Sequence, residues 1–312
     1  MKVLITGGAG FIGSHLAEYL RERAEVRILD NLRVRNQRIL DRRGIDVVHA
    51  SILDSIALRG AVSGVDFVFH LAAMVGVQES MENPQECVKI NVLGTLNVLQ
   101  AAADAGVRKL VFASSAGIYG DDPPVPTPET AAPEPKSPYA ITKLDGEYCC
   151  EMFEREGWLK TAALRFFNVF GPGQDPTSPY AAAVPAFLQR AMRGEPLTIF
   201  GDGEQSRDFI YVKDVVAALV FAAENSELKG AFNCGYGQQT SINELVRRIL
   251  VLTQSKSQPN YLPERAGDVR HSCASTEKLR AFGWRPASSL EQGLRETMDE
   301  FRQHLLEGTK SS

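Results

Sequence analysis

Cysteine is scarce in this chain and unpaired. Its five residues, Cys87, Cys149, Cys150, Cys234 and Cys273, are odd in number and show no CxxC spacing. That pattern supports neither a disulfide framework nor a zinc site, so no metal is expected and a reducing cytoplasm is the expected home. A long apolar run is missing too. The opening "MKVLITGGAGFIGSHLAEYL" starts apolar, but glycines break it and an amphipathic pattern follows, which leaves no signal peptide and no membrane span. Nor is there an excess of positive charge. With 34 Lys and Arg against 38 Asp and Glu, the net charge of −4 argues against a general nucleic-acid or membrane-surface binder. One local exception, "LRVRNQRILDRR" with Arg33, Arg35, Arg38, Arg42 and Arg43, reads either as a solvated face or as a contact with a cofactor phosphate or a partner.

What remains is a chain of 312 residues, 44% hydrophobic and 23% charged, able to bury a large core as one domain or two closely joined ones. Its first part alternates short β-branched runs with longer amphipathic ones, the pattern of an α/β fold with a parallel sheet. Strands are predicted at 3–6, 26–30, 46–49, 67–70, 110–114 and 161–165, with helices at 84–105 and 138–156 among those between them. No internal repeat is present. The proline-dense "DDPPVPTPETAAPEPK" predicts an extended surface loop. After Gly171 the turn-rich "GPGQDPTSPY" precedes mixed short elements and a C-terminal helix at 290–306, which suggests a smaller second domain. The stretches "RDFIYVKDVVAALVFAAE" and "GAFNCGYG" read as a helix and a buried strand able to return to the main sheet.

Gly7, Gly10 and Gly13 stand between a predicted strand and a predicted helix. Glycine permits a sharp turn and close backbone approach to a pyrophosphate, and the helix N-terminus offers it partial positive charge. Such a motif alone is a weak signal. Here the next strand ends in Asp30, at the distance expected of a carboxylate that binds an adenosine ribose and repels a 2′-phosphate, so NAD is favoured over NADP. Further on, "KLVFASSAGIYG" ends a buried strand in Ser114 and Ser115, which are either turn residues or hydroxyls facing a ligand beyond the sheet. In "SPYAITK", Ser137 can cap a helix and Pro138 suits its first turn, which sets Tyr139 and Lys143 on one face. That spacing fits an ordinary helix start or a proton-transfer pair, and the residues alone leave both open.

Together these motifs resemble the extended short-chain dehydrogenase/reductase family over nearly the whole chain. The resemblance implies a Rossmann-type doubly wound parallel sheet with a smaller C-terminal α/β domain for substrate. Residues 1–170, with part of 208–236 returning, would bind NAD, and 171–312 the substrate. It implies catalysis by Tyr139, Lys143 and Ser115, the amine lowering the phenol pKa from about 10 toward working pH. The implied cofactor contacts are Gly7, Gly10, Phe11, Ile12, Gly13, Asp30, Asn31, Ser51, Ile52, Leu71, Ala72, Ala73, Asn91, Ser114 and Phe166 beside Tyr139 and Lys143. Ser51 departs from the Asp usual there, which weakens the expected bond to adenine.

Within the family, "RFFNVFGPGQDPTSPY", "LTIFGDGEQSRDFIYVKD" and "PERAGDVRHS" are similar to the UDP-hexose 4-epimerases, which oxidise C4, turn the 4-keto sugar over and reduce its other face. That similarity implies a UDP-sugar partner held by Val77, Asn168, Ala183, Val184, Thr198, Phe200, Arg207, Arg265, Asp268 and Ser272 beside Ser115 and Tyr139, in a homodimer built on helices 84–105 and 138–156. A small residue at Ser272 leaves room for an acetamido group, so both UDP-Glc/UDP-Gal and UDP-GlcNAc/UDP-GalNAc are expected substrates. Ala116 and Gly117 stand where dehydratases and decarboxylases carry an acid. The alternatives are a UDP-glucuronate 4-epimerase, which would need a cation that Gly173 does not supply, and a noncatalytic NAD-sensing protein, which would not need the Tyr/Lys pair.

Overall fold

The apolar runs of the first part do form one parallel sheet. Its strands are β1 (Lys2–Thr6), β2 (Glu25–Asp30), β3 (Asp46–His49), β4 (Phe67–His70), β5 (Lys109–Ser115) and β6 (Thr161–Phe166). Four short strands follow, β7 (Asn168–Phe170), β8 (Leu197–Phe200), β9 (Ser206–Arg207) and β10 (Phe209–Tyr211), before β11 (Gly230–Cys234). The computed structural model describes residues 1–33, 45–175, 182–264 and 269–308. Arg35, Arg38, Arg42 and Arg43 of the basic run, and the expected substrate contacts Arg265 and Asp268, lie outside the described residues.

The sheet order is β11-β6-β5-β4-β1-β2-β3, and each pair is parallel. β11 therefore comes back from far along the chain to cover β6. Strand residues alternate between two cores. Val3 and Ile5 pack with Leu16 and Leu219 on one face, while Leu4, Leu110 and Phe112 pack with Leu99 and Phe153 on the other. Both faces are covered, which is why these strands read as continuous apolar runs. The order reverses between β1 and β4, so the crevice beyond their carboxyl ends is where such a sheet receives a ligand.

A third core joins Phe170 and Tyr211 to Val184, Leu188, Leu245 and Leu294, from the helices Ala183–Arg193, Ile242–Thr253 and Leu290–Gly308. Two expectations need correction. The helix predicted at 84–105 carries a π turn at Lys89–Leu93 between α-helical Pro84–Val88 and Gly94–Asp104. The proline-dense segment does not stay on the surface throughout. Thr127 is buried, and it donates its N–H to the Cys273 carbonyl (2.8 Å) and accepts from the Ser275 N–H (2.9 Å). Prolines lack a donor but favour extended backbone, and the remaining N–H of such a segment can pair as in a strand.

Candidate active site

The glycine turn is held against the end of β4. Gly7 has φ +71°, and a Cβ on it would lie 2.6 Å from the Ala72 nitrogen. A Cβ on Gly13 would lie 2.3 Å from the Gly7 carbonyl oxygen. Gly10 occupies the N-cap of the Phe11–Leu20 helix and has no side chain to cap it, which leaves the first-turn N–H groups to another acceptor. A cradle that a single Cβ would fill, under an uncapped helix start, fits a pyrophosphate. Phe11 and Ile12 are half-buried at this start and pack against the third core.

Asp30 is buried at the end of β2 and is partly occupied. Its carboxylate accepts from the Ala9 N–H (2.9 Å) in the glycine turn and from the Leu32 N–H (2.7 Å). A carboxylate has about four acceptor sites, so it both braces the turn and keeps capacity for a ribose. Beside it Asn31 is exposed, and its carbonyl meets the His49 ring at 3.1 Å. Ser51 accepts from the Leu53 N–H (3.2 Å), and Ile52 is buried against Gly94, where a Cβ would lie 2.4 Å from it. Leu71, Ala72 and Ala73 are half-buried beyond β4. Asn91 lies in the π turn. It accepts from the Met74 N–H (2.8 Å) and donates to the Met74 carbonyl and the Thr142 hydroxyl (both 3.0 Å).

Ser137 caps the Pro138–Arg155 helix by accepting from the Ala140 N–H (3.2 Å), with Pro138 next, as the spacing predicts. The Ser115 hydroxyl lies close enough to Tyr139 to favour its phenolate. The buried Lys143 donates to the Ala113 carbonyl (2.7 Å), and its Nζ is 5.9 Å from the Tyr139 ring centre. The charges do not behave as expected. Burial pushes the Tyr139 phenol above its usual range, with the Ser115 hydroxyl opposing. Burial likewise lowers the Lys143 amine to about 8, against opposing contributions from Cys87, Cys150 and Glu147. In this buried pocket desolvation outweighs the attraction expected between amine and phenolate. Next to them His70, between Thr6 (2.7 Å) and Thr95 (2.9 Å), is lowered to about 3 by burial and by Lys143, so it stays neutral.

Ser115, Phe166, Asn168, Arg207 and Ser272 line one cavity of about 220 Å³. Backbone pairing assembles it, since the Ser206 N–H donates to the Arg270 carbonyl (3.0 Å) and the Ser272 N–H to the Ser206 carbonyl (3.1 Å). Other expected residues fall elsewhere. Val77 is exposed at the start of the Val77–Glu82 helix, and Thr198 and Phe200 are half-buried on β8. Ala183 is half-buried, but Val184 has no exposed surface and faces the third core, so its side chain is not a substrate contact. Ser114 also needs correction. Adjacent strand residues face opposite sides of a sheet, and its buried hydroxyl donates to Glu147 rather than facing a cofactor. A further cavity, of about 270 Å³, opens beside Leu144, Tyr148 and Arg165 and holds none of the three catalytic candidates.

Sequence reasoning missed two buried carboxylates. Glu147 pairs with Arg165. Asp208 accepts from the Tyr236, Gly237 and Ala274 N–H groups (2.7, 2.9 and 3.0 Å), tying the wall that carries Ser272 to β10, and burial raises it to about 6. The available signals were the fourth residue after Lys143 and the neighbour of Arg207. Among the described residues no cluster of three or more His, Cys, Asp or Glu could hold a metal, and no helix is long and apolar enough to cross a membrane.

Residues 3–235 match the NAD dependent epimerase/dehydratase family. A solved UDP-glucose 4-epimerase from Thermotoga maritima, with UDP-glucose, superimposes with a TM-score of 0.92 at 41% identity, covering 98% of this chain and 100% of that one. A UDP-N-acetylglucosamine 4-epimerase from Methanobrevibacter ruminantium, in complex with UDP-N-acetylmuramic acid, gives 0.94 at 36% identity, covering 97% and 98%. A UDP-N-acetyl-alpha-D-glucosaminuronate decarboxylase from Bacillus cytotoxicus is 36% identical over 317 residues, 97% of this chain and 98% of that protein.

Proposed function

Because the chain belongs to the NAD dependent epimerase/dehydratase family, we propose that it is an NAD-dependent UDP-hexose 4-epimerase acting on UDP-Glc/UDP-Gal and on UDP-GlcNAc/UDP-GalNAc. The observation that carries this reading is the convergence of Ser115, Asn168, Arg207 and Ser272 on one cavity, with Tyr139 beside Ser115. No acidic residue lines that cavity among the described residues, and the turn after Ser115 begins with Ala116 and Gly117. Among the described residues, elimination of water and decarboxylation therefore lack a nearby acid.

NAD would lie on the Gly7–Gly13 turn with its ribose at Asp30. When bound in its oxidised form it supplies a reversible two-electron acceptor and a positive charge beside the phenol. Ser115 holds the sugar 4-oxygen and Tyr139 exchanges its proton, which stays on the phenol until cationic charge offsets burial. Lys143 is kept on the Ala113 carbonyl as one part of that charge. Arg207, whose Nη1 donates to the Ser206 carbonyl (2.8 Å), offers its guanidinium to the diphosphate. The small Ser272 leaves the cavity wall open to an acetamido group.

Residues 1–170 with part of 208–236 would form the NAD-binding part and 171–312 otherwise the substrate part. Val88 and Leu93 on one helix and Ile141 and Tyr148 on the other are about half exposed, a face suited to a second copy. Free cysteines fit a cytoplasmic enzyme. The test is incubation of purified protein with UDP-Glc and UDP-GlcNAc without added reductant. C4 epimers are the expected products, Tyr139→Phe abolishes them with NAD still bound, and near-normal turnover in that variant would remove Tyr139 from the mechanism.

A further inference from the structure

Steps of four from Tyr139 reach Lys143 and then Glu147, so the three lie on one face of the Pro138–Arg155 helix. Opposite them stand three consecutive residues of β5. Ser115 stands beside Tyr139, the Ala113 carbonyl accepts from Lys143, and the Ser114 hydroxyl donates to Glu147. Two successive helical turns, at Lys143 and Glu147, are thus fastened to two adjacent strand residues, Ala113 and Ser114.

Glu147 is also tied to the next strand. Arg165 of β6 grips its carboxylate twice, Nε to Oε1 at 2.9 Å and Nη2 to Oε2 at 2.7 Å, and both side chains are less than a tenth exposed. Arg165 donates in turn to the Tyr119 hydroxyl (2.8 Å) and the Glu129 carbonyl (3.1 Å), and Tyr119 donates to Asn233 (2.7 Å). The helix has no slack at this point, because a Cβ on Gly146 would lie 2.4 Å from the Phe112 ring. A buried ion pair is a poor stabiliser compared with well-packed apolar residues of the same volume. Its place on the catalytic helix fits a geometric role better than an energetic one.

We propose that Glu147 is a positioning residue for proton transfer: clamped between Ser114 and Arg165, it sets the height and rotation of the catalytic helix, holding Tyr139 beside Ser115 and Lys143 on Ala113. This rests on the epimerase reading. Glu147 has a second effect through charge. The titratable groups acting on Lys143 are Tyr139, Glu147 and Cys150 from its own helix, Cys87 from the Pro84–Val88 turn and His70 from β4. Glu147 is the carboxylate in that set, and its charge favours the ammonium.

The test compares Glu147→Gln with the parent for bound NAD, Tm, kcat, KM and the pH profile of kcat. Expected are NAD retention and KM close to the parent, kcat lower by ~10- to ~100-fold, as for a sub-ångström to ångström misplacement, and an alkaline limb displaced to lower pH. Parent-like kcat would overturn the proposal. So would a loss of kcat that only tracks lost NAD or lost fold, with the pH profile unmoved. If Glu147→Gln does not fold, Ser114→Ala decides, since it deletes one bond and no charge. A fall in its kcat at unchanged KM supports the proposal, and parent kcat overturns it. An inactive parent would instead sink the epimerase reading itself.

Discussion

Lys143→Met should abolish turnover and yet stabilise the fold at neutral pH. The amine is buried and its pKa falls from 10.5 to about 8. That displacement corresponds to roughly 3 kcal/mol of preference for the uncharged form, so below pH 8 the folded chain carries this cost as an ammonium. Methionine removes the charge at similar volume but leaves the Ala113 carbonyl without its 2.7 Å donor, a loss of about 1–2 kcal/mol. The net gain is on the order of 1–2 kcal/mol at pH 7. The sign depends on pH. Between pH 8 and 10.5 the unfolded parent holds a proton that the folded parent has released, so parent stability rises through this window. The variant lacks that rise. It should be the more stable form at pH 7 and, once the parent amine is neutral and still bonded to Ala113, the less stable form near pH 10. Urea unfolding at a series of pH values, read as the difference between the two proteins, isolates this group from all others that titrate. A variant less stable at pH 7, or a difference that stays flat with pH, would refute the reasoning.

Gly13→Ala would place a methyl 2.3 Å from the Gly7 carbonyl and 2.7 Å from the Gly8 Cα, both backbone atoms. The turn must open, at about 1–3 kcal/mol, so protein purified from this variant should carry less NAD and melt lower; full NAD content would count against the cradle. The Arg33–Glu79 ion pair joins the loop after β2 to the helix after β4, across the end of β1 that lies between those strands. It would span a pyrophosphate on the glycine turn, and Glu79→Gln should speed NAD release by up to about fivefold, the limit for a half-exposed pair worth at most about 1 kcal/mol. Gel filtration followed by measurement of retained NAD checks this, and an unchanged release rate would show that the pair does not retain the cofactor. Ser272→Tyr should suppress turnover of UDP-GlcNAc far more than that of UDP-Glc, measured as the ratio of kcat/KM values; equal loss on both would contradict a steric gate.

What could be read from the chain alone was what depends on near neighbours. A strand, a glycine turn and a helix within some 20 residues fix one another, so Gly7, Gly10, Gly13 and Asp30 meet as expected. The Ser137 cap and the i,i+4 step place Tyr139 over Ser115 by the same local logic. The errors arose where a second surface decides. Helical rotation puts Ala183 partly outside and Val184 wholly inside, which pairing with β8 and two other helices settles, not the local run. Ser114 is legible only by half: period-two alternation implies that it and Ser115 leave the strand on different sides, but its partner Glu147 stands 33 residues further on and no local spacing names it. The pKa of Tyr139 was not legible at all. Spacing gives the distance from phenol to ammonium, whereas the balance between their attraction and desolvation depends on Phe112, Cys87 and Cys150 closing around Lys143. With the phenol held neutral by burial, the pair is poised to become a base only when further positive charge arrives, and that requirement couples proton transfer from the sugar to occupation of the neighbouring crevice by the oxidised cofactor.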